Sequence, residues 1–432
     1  MYKSIKKSGP LRGEITVAPD KSISHRAVIF SALAQGESIV RNFLLAEDTL
    51  SSCSCIRQLG IEIIKKGSQL KVTGKGLHGL QEAASVLDCG NSGTTMRLFS
   101  GLLAGQPFYS VLSGDQSLNR RPMRRVIEPL SVMGAEIWGR KGDQNPPLSI
   151  KGSSLKGMQY HLPIASAQVK SALLLAGLSA EGETVLTEPE KSRDHSENML
   201  TAMGANLRVN GLEVTLRPGN ELYPQEFLVP GDISSAAFFM VAALLVPGSQ
   251  LLIRDIGVNH TRSGIIKILA EMGGKIQIEN RRVIGGEDVA DLIVSSSSLH
   301  GINLKGEVIP RLIDEIPVLA VAMALADGES VVEGAGELRV KETDRIAAVC
   351  SELTGLGFNI EEREDGFRIK GNPDRDGPRP ADICVNSHGD HRIAMSLAIA
   401  ALCLSGETRI DGTEAVSISF PEFWSLLDRI SE

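Results

Sequence analysis

The 432-residue chain is poor in aromatic residues: Phe, Trp and Tyr together make up 4% of it. That leaves little with which to stack on nucleobases. It also has no excess of positive charge, since 45 Lys and Arg face 52 Asp and Glu for a net charge of −7. No global basic field draws nucleic acid to it, so an anionic ligand needs a local cluster of cations. No apolar run reaches the roughly 20 residues of a membrane span. The basic opening MYKSIKKSGPLRGE lacks the apolar stretch of a signal peptide. These absences lead us to expect a cytoplasmic protein with neither a membrane nor a nucleic-acid partner. Cys53, Cys55, Cys89, Cys350, Cys384 and Cys403 form no CxxC pair. Cys53-x-Cys55 alone is a weak metal signal, and buried free thiols are expected.

What the chain does have is glycine, 44 residues of it, and a repeat. Six times an apolar, Ala-rich stretch runs into a Gly turn and then a strand-like run, with turn glycines Gly36, Gly105, Gly182, Gly248, Gly328 and Gly406. A second pattern interleaves, in which a helix end meets Leu/Met-Gly and then a strand. Its glycines are Gly60, Gly134, Gly204, Gly273 and Gly357. Gly just past a helix accepts the left-handed cap conformation, and the β-branched residues that follow favour strands. Each repeat of about 70 residues therefore holds two helices and several short strands. The first helix of each is apolar on nearly all sides, which places it inside rather than on a wet face. Gly74-Lys75-Gly76-Leu77-His78-Gly79 matches GxGxxG after a strand, but no helix clearly opens on it and a structural turn is expected.

The six inner helices begin at DKSISHR, GNSGTTMR, SAQVK, GDISS, DEIP and GDHR. A helix N-terminus carries free N–H groups and a partial positive charge and so binds anions. Asp20, Ser22, Asn91, Ser166, Asp232 and Asp390 can serve as N-caps. Capping does not explain Lys21, Arg26, Arg97, Lys170 and Arg392, which oppose the dipole where they stand; an anionic ligand does. Further on, RLIDE (311–315) puts acids before an apolar helix. In LRVKETDR (338–345) a helical reading puts Lys341 and Arg345 on one face with Glu342 beside them.

The blocks DKSISHRA (20–27), GNSGTTMR (90–97), GDQSLNRRPM (114–123), SAQVKSALLLAG (166–177), RLIDEIP (311–317), LRVKETDRI (338–346) and GDHRIAMS (389–396) resemble the 3-phosphoshikimate 1-carboxyvinyltransferase (5-enolpyruvylshikimate-3-phosphate synthase) family, in its order and across almost the whole chain. The resemblance implies an α/β fold: a two-domain inside-out clamp, each domain of three βαβαββ repeats around buried parallel helices. The expected domains are 20–231 and 1–19 with 232–432, joined by a two-strand hinge, and closure would bring both halves of the site together.

The resemblance also implies roles. Lys21, Ser22, Arg26, Ser166, Ala167, Gln168, Arg193, Asp314 and Lys341 would bind 3-phosphoshikimate. Lys21, Gly93, Arg121, Gln168, Arg345 and Arg392 would bind phosphoenolpyruvate, for which guanidinium forks suit both the carboxylate and the phosphate. Addition followed by elimination needs an acid and a base at close quarters. Glu342 is the candidate proton donor to the methylene carbon, Asp314 the base on the 5-hydroxyl, and Lys21 an aid at the leaving phosphate. No metal or organic cofactor is implied, and a monomer is expected.

SAQVK, SRDHSE (192–197) and NHTR (259–262) are similar to the class II variant, often tolerant of glyphosate. Pro19 and Gly93 depart from that variant, which usually has Gly and often has Ala there, so intermediate sensitivity is expected. Ser417-Ile418-Ser419 precede Phe420-Pro421 where some members place a Lys. Two rivals are weighed against this reading. One is the related transferase acting on UDP-N-acetylglucosamine, disfavoured by DKSISHR and SAQ. The other is a DNA clamp-like ring, which needs basic helices this chain lacks.

Overall fold

The computed structural model describes residues 1–374 and 382–431. The chain divides into two compact units. Unit 1 comprises Met1–Ala18, Pro230–Val283 and Asp288–Glu432, and unit 2 comprises Pro19–Val229 with Ile284–Glu287. The sequence reading left 284–287 inside its second domain; the contacts group this short segment with unit 2.

Each unit is α/β and, among the described residues, holds three small sheets. In unit 2 the spatial orders are Glu226–Leu228, Gln35–Arg41, Gln69–Lys75, Glu62–Lys66; Leu87–Asp88, Tyr109–Ser113, Asn145–Lys151, Glu136–Gly139; and Gln159–His161, Thr184–Thr187, Glu213–Arg217, Asn206–Asn210. In every one the first pair is parallel and the others antiparallel. Unit 1 repeats the scheme. Asn303–Leu304 is parallel to Glu329–Val332, Arg12–Thr16 to Gln250–Gly257, and Asp382–Asn386 to Glu407–Asp411. Parallel strands need a crossover, and a helix supplies it.

The six apolar helices are labelled in chain order α1 (Lys21–Leu33), α2 (Gly93–Ala104), α3 (Ala167–Gly177), α4 (Ile233–Leu245), α5 (Ile316–Ala324) and α6 (His391–Leu402); α2, α3, α5 and α6 each join the two strands of a parallel pair, whereas the parallel partners beside α1 and α4 lie far apart in the chain. They are buried almost throughout, α4, α5 and α6 in every residue. The five glycines of the second pattern all take positive φ, from 84° at Gly60 to 98° at Gly273. That is the left-handed turn which ends a surface helix and starts the next hairpin.

The strand that precedes α1 in the chain, Arg12–Thr16, pairs within unit 1, whereas the strand that precedes α4, Glu226–Leu228, pairs within unit 2. Each unit thus receives one edge strand from a passage of the chain between units. Tyr2–Lys6 adds to Glu407–Asp411 as an antiparallel neighbour. The stretch after Lys75 is a turn and opens no helix. Five of the six cysteines are buried free thiols, but Cys384 is exposed, contrary to expectation. It lies on the short strand Asp382–Asn386, where the next residue, Val385, is the buried one. Among the described residues no helix is long and apolar enough to cross a membrane.

Candidate functional site

In unit 2, side-chain links draw three helix starts together. Asp20 caps α1, its Oδ1 accepting from the Ile23 N–H at 2.8 Å. Lys21 opens that helix and donates from Nζ to Asp48 Oδ2 at 3.1 Å. Arg26 is buried. It donates from Nε to Ser196 Oγ (2.7 Å), from Nη2 to Ser171 Oγ (2.8 Å) and from Nη1 to the Ser22 carbonyl (3.0 Å). It therefore joins α1 to α3 and to the helix His195–Ala202. Beside it, burial pushes the His25 imidazole well below its usual value, helped by Lys21 and Arg26. His25 is thus held neutral, with Nδ1 2.8 Å from Ser52 Oγ.

Ser92 caps α2, and its Oγ accepts from the Thr95 N–H at 3.0 Å. Arg97 Nη1 donates to Gln168 Oε1 at 2.5 Å, and Gln168 Nε2 donates to Thr94 Oγ1 at 2.9 Å, which ties α2 to the start of α3. Ser166 caps α3. Arg121 leaves a short turn and donates from Nη2 to Asn91 Oδ1 (2.6 Å) and Ser117 Oγ (3.3 Å). A Cβ on Gly93 would lie 2.8 Å from Arg97 Nη1 and 3.4 Å from Arg121 Nη1. Two guanidinium groups therefore crowd the opening of α2, and only a residue without a side chain leaves them their places. Ser22, Ser166, Ala167, Gln168 and Arg193 are partly exposed, the last in the loop before His195.

In unit 1 the expected residues converge on one buried guanidinium. Arg345, the first residue of helix Arg345–Gly355, donates from Nε to Asp390 Oδ2 (2.7 Å) and from Nη2 to Glu342 Oε2 (2.7 Å). Its Nη1 lies 3.4 Å from Asp314 Oδ1, and Lys341 Nζ lies 3.6 Å from the same oxygen. Burial opposes the charge on Arg345, but Asp390, Glu342 and Asp314 outweigh it and hold the guanidinium above its ordinary value. For Lys341 burial wins: its ammonium is lowered despite Asp314, and Arg345 adds to the lowering. Arg392, near the start of α6, donates from Nη1 to the Asp314 carbonyl at 2.9 Å and lies 3.9 Å from Glu315 Oε1. Glu315 in turn accepts from Ser234 Oγ, and Arg262 binds both Ser234 Oγ (2.7 Å) and Asp232 Oδ1 (2.9 Å). The starts of α4, α5 and α6 are thereby linked.

Three readings change. Lys170, grouped in the sequence with cations awaiting an anion, is wholly buried between Glu188 and Glu197. Ser22 and Asn91 are not caps; Ser92 caps α2, and Asn91 serves Arg121. Lys341 and Arg345 do not share a continuous helix, because a 3-10 turn ends at Val340 and the helix starts only at Arg345, capped by Asp344. The two cations still meet, at Asp314. The sequence reading missed Asp48, Ser171 and Ser196, and it saw Asp390 only as a cap. Asp390 both caps α6 through the Arg392 N–H (2.8 Å) and holds Arg345.

The model of the EPSP synthase (3-phosphoshikimate 1-carboxyvinyltransferase) family matches residues 5–427. A 3-phosphoshikimate 1-carboxyvinyltransferase of Syntrophomonas wolfei subsp. wolfei is 64% identical over 98% of this chain and 98% of its own length. The protein of that name from Geobacter metallireducens is 55% identical over 98% of this chain and 97% of its own. Among solved structures, an EPSP synthase from Acinetobacter baumannii superposes with a TM-score of 0.87 at 45% identity, over 99% of this chain and 98% of that one. The chain belongs to the EPSP synthase family.

Proposed function

We propose that the chain transfers the enolpyruvyl group of phosphoenolpyruvate to the 5-hydroxyl of 3-phosphoshikimate and releases phosphate, a step of aromatic amino-acid biosynthesis. The observation that carries the mechanism is the pair Asp314 and Glu342, two carboxylates held by one buried guanidinium, Arg345. Glu342 gives a proton to the methylene carbon of phosphoenolpyruvate. Asp314 takes the proton of the 5-hydroxyl as its oxygen bonds to the neighbouring carbon, where cationic character develops beside the carboxylates. In the second half the adduct loses a proton from its new methyl group and expels phosphate, assisted by Lys21, to leave the enol ether.

The cations of unit 2 suit the anions. Arg26, Arg193, Lys21 and Ser22, with Ser166, Ala167 and Gln168, bind 3-phosphoshikimate, as do Asp314 and Lys341 of unit 1. Arg121, Arg345, Arg392, Lys21 and Gln168 hold phosphoenolpyruvate, and Gly93 lets it approach. The protein works as a cytoplasmic monomer without nucleic acid, in keeping with its net charge of −7. Phosphate release from phosphoenolpyruvate, measured with and without 3-phosphoshikimate, tests the reading. Release is expected only when 3-phosphoshikimate is present. Release indifferent to it, or release driven instead by UDP-N-acetylglucosamine, overturns the assignment.

A further inference from the structure

Lys170, Glu188 and Glu197 have side chains 0%, 0% and 2% exposed, so none of them can touch a substrate. Lys170 Nζ lies 2.8 Å from Glu188 Oε2 and 2.6 Å from Glu197 Oε1. Taking three charges out of water is costly, and apolar replacements for such buried clusters are often neutral or stabilising. Fold stability therefore does not account for this one.

What the cluster does is visible in its attachments. Lys170 sits on the first turn of α3, its N–H bonded to the Ser166 carbonyl at 3.0 Å. Glu188 Oε1 accepts from the Ser192 N–H at 3.3 Å and from the Ser192 hydroxyl. Ser192 is the residue before Arg193. Glu197 belongs to the helix His195–Ala202, whose Ser196 takes the Arg26 Nε–H at 2.7 Å. One ammonium thus spans three segments: the Ser166–Gln168 start, the loop that presents Arg193, and the helix that steadies Arg26.

We propose that Lys170, Glu188 and Glu197 are positioning residues that fix Arg193, Arg26 and the Ser166–Gln168 start in the one arrangement that receives the phosphate of the acceptor. This rests on 3-phosphoshikimate being that acceptor. The Lys of SAQVK and the Glu of SRDHSE are then two halves of one device, since neither is tolerable in the interior without the other.

The test is the triple variant K170M/E188M/E197M, which replaces all three charges with apolar side chains of similar size. Its melting temperature stays level or rises. KM for 3-phosphoshikimate rises about tenfold, while kcat and KM for phosphoenolpyruvate stay within about twofold, the pattern of lost ground-state binding. An unchanged KM for 3-phosphoshikimate in the folded variant overturns the proposal. Should the triple variant not fold, Ser192→Ala decides. It cuts only the hydroxyl link between Glu188 and the loop, and KM for 3-phosphoshikimate rises about threefold, again with kcat held; no rise overturns the proposal. Wild-type assays separate the two ideas. A wild type inert towards 3-phosphoshikimate sinks the functional reading and this inference with it, whereas an active wild type with indifferent variants sinks the inference alone.

Discussion

At the scale of single residues, Arg345 sets what can be learned from its partners. It is bound by Asp390, Glu342 and Asp314, so neutralising one acid leaves two and the guanidinium remains charged and in place. Asp314→Asn and Glu342→Gln should therefore fold normally and lose turnover by at least about a hundredfold each, the usual scale for acid–base groups. Near-normal kcat in either variant removes that residue from the proton transfers. Gly93 offers a different handle. The methyl of Gly93→Ala meets Arg97 Nη1 and Arg121 Nη1, the far ends of flexible side chains, so it displaces guanidinium groups rather than backbone. Glyphosate, the longer molecule, should suffer more than phosphoenolpyruvate, by roughly 1–3 kcal/mol or about ten- to two-hundredfold. Equal changes in the inhibition constant and in the phosphoenolpyruvate KM would show that residue 93 is no discriminating wall. Residues of this kind were visible in the sequence because Arg and Lys at helix starts break a rule. Ser171 and Ser196 break none: serine is common at every turn, and only the fold shows that both reach Arg26.

At the scale of elements, the inner helices were legible because an Ala-rich stretch apolar on every side has nowhere to go but inward. The LRVKETDR segment was misread because alternating charges fit a turn as well as a helix. Asp344 carried the missing signal, since Asp is a favoured cap and here accepts from the Ala347 N–H at 3.0 Å. How closely two helices approach was not legible at all. A Cβ on Gly101 of α2 would stand 2.0 Å from the Ala172 carbonyl oxygen of α3, so the helices pack backbone to backbone. Gly101→Ala must push them apart, and we expect a stability loss of about 1–3 kcal/mol or more, together with reduced activity as the Arg97–Gln168 link stretches. Gly177→Ala, whose Cβ meets only side-chain atoms of Leu216 and Thr184 near 3.0 Å, should lose clearly less. Thermal melts of the two variants compare them directly, and equal losses would refute close packing as the cause.

At the scale of the whole molecule, the sixfold repeat could be read from its glycines, whereas the grouping of the N-terminal strand with 232–432 came only from the family resemblance. Arg12–Thr16 is five residues long with two of them charged, and its residues alone do not say which sheet it joins. It is held in unit 1 by pairing with Gln250–Gly257 and by a charge network around Asp291. Arg254 reaches both Glu14 (2.9 Å) and Asp291 (3.0 Å), while Arg282 and Asn280 approach Asp291 at 3.4 and 3.0 Å. Burial alone would raise the Asp291 carboxyl; the Asp255 N–H, Asn280, Arg254 and Arg282 together bring it down to about 2 from an ordinary 3.8. A carboxyl depressed in the folded state stabilises that state at pH values above its unfolded pKa, and the benefit is lost as pH falls towards the folded one. Full value would be about 2 kcal/mol, reduced to roughly 1–2 because Arg254 and Arg282 are partly solvated. Urea unfolding of the wild type and of Asp291→Asn should therefore differ by that amount at pH 7, by about half as much at pH 3, and by little near pH 2. A gap that stays constant with pH would mean that the variant loses packing or hydrogen bonds rather than a paired charge, and that the N-terminal strand is not held by electrostatics.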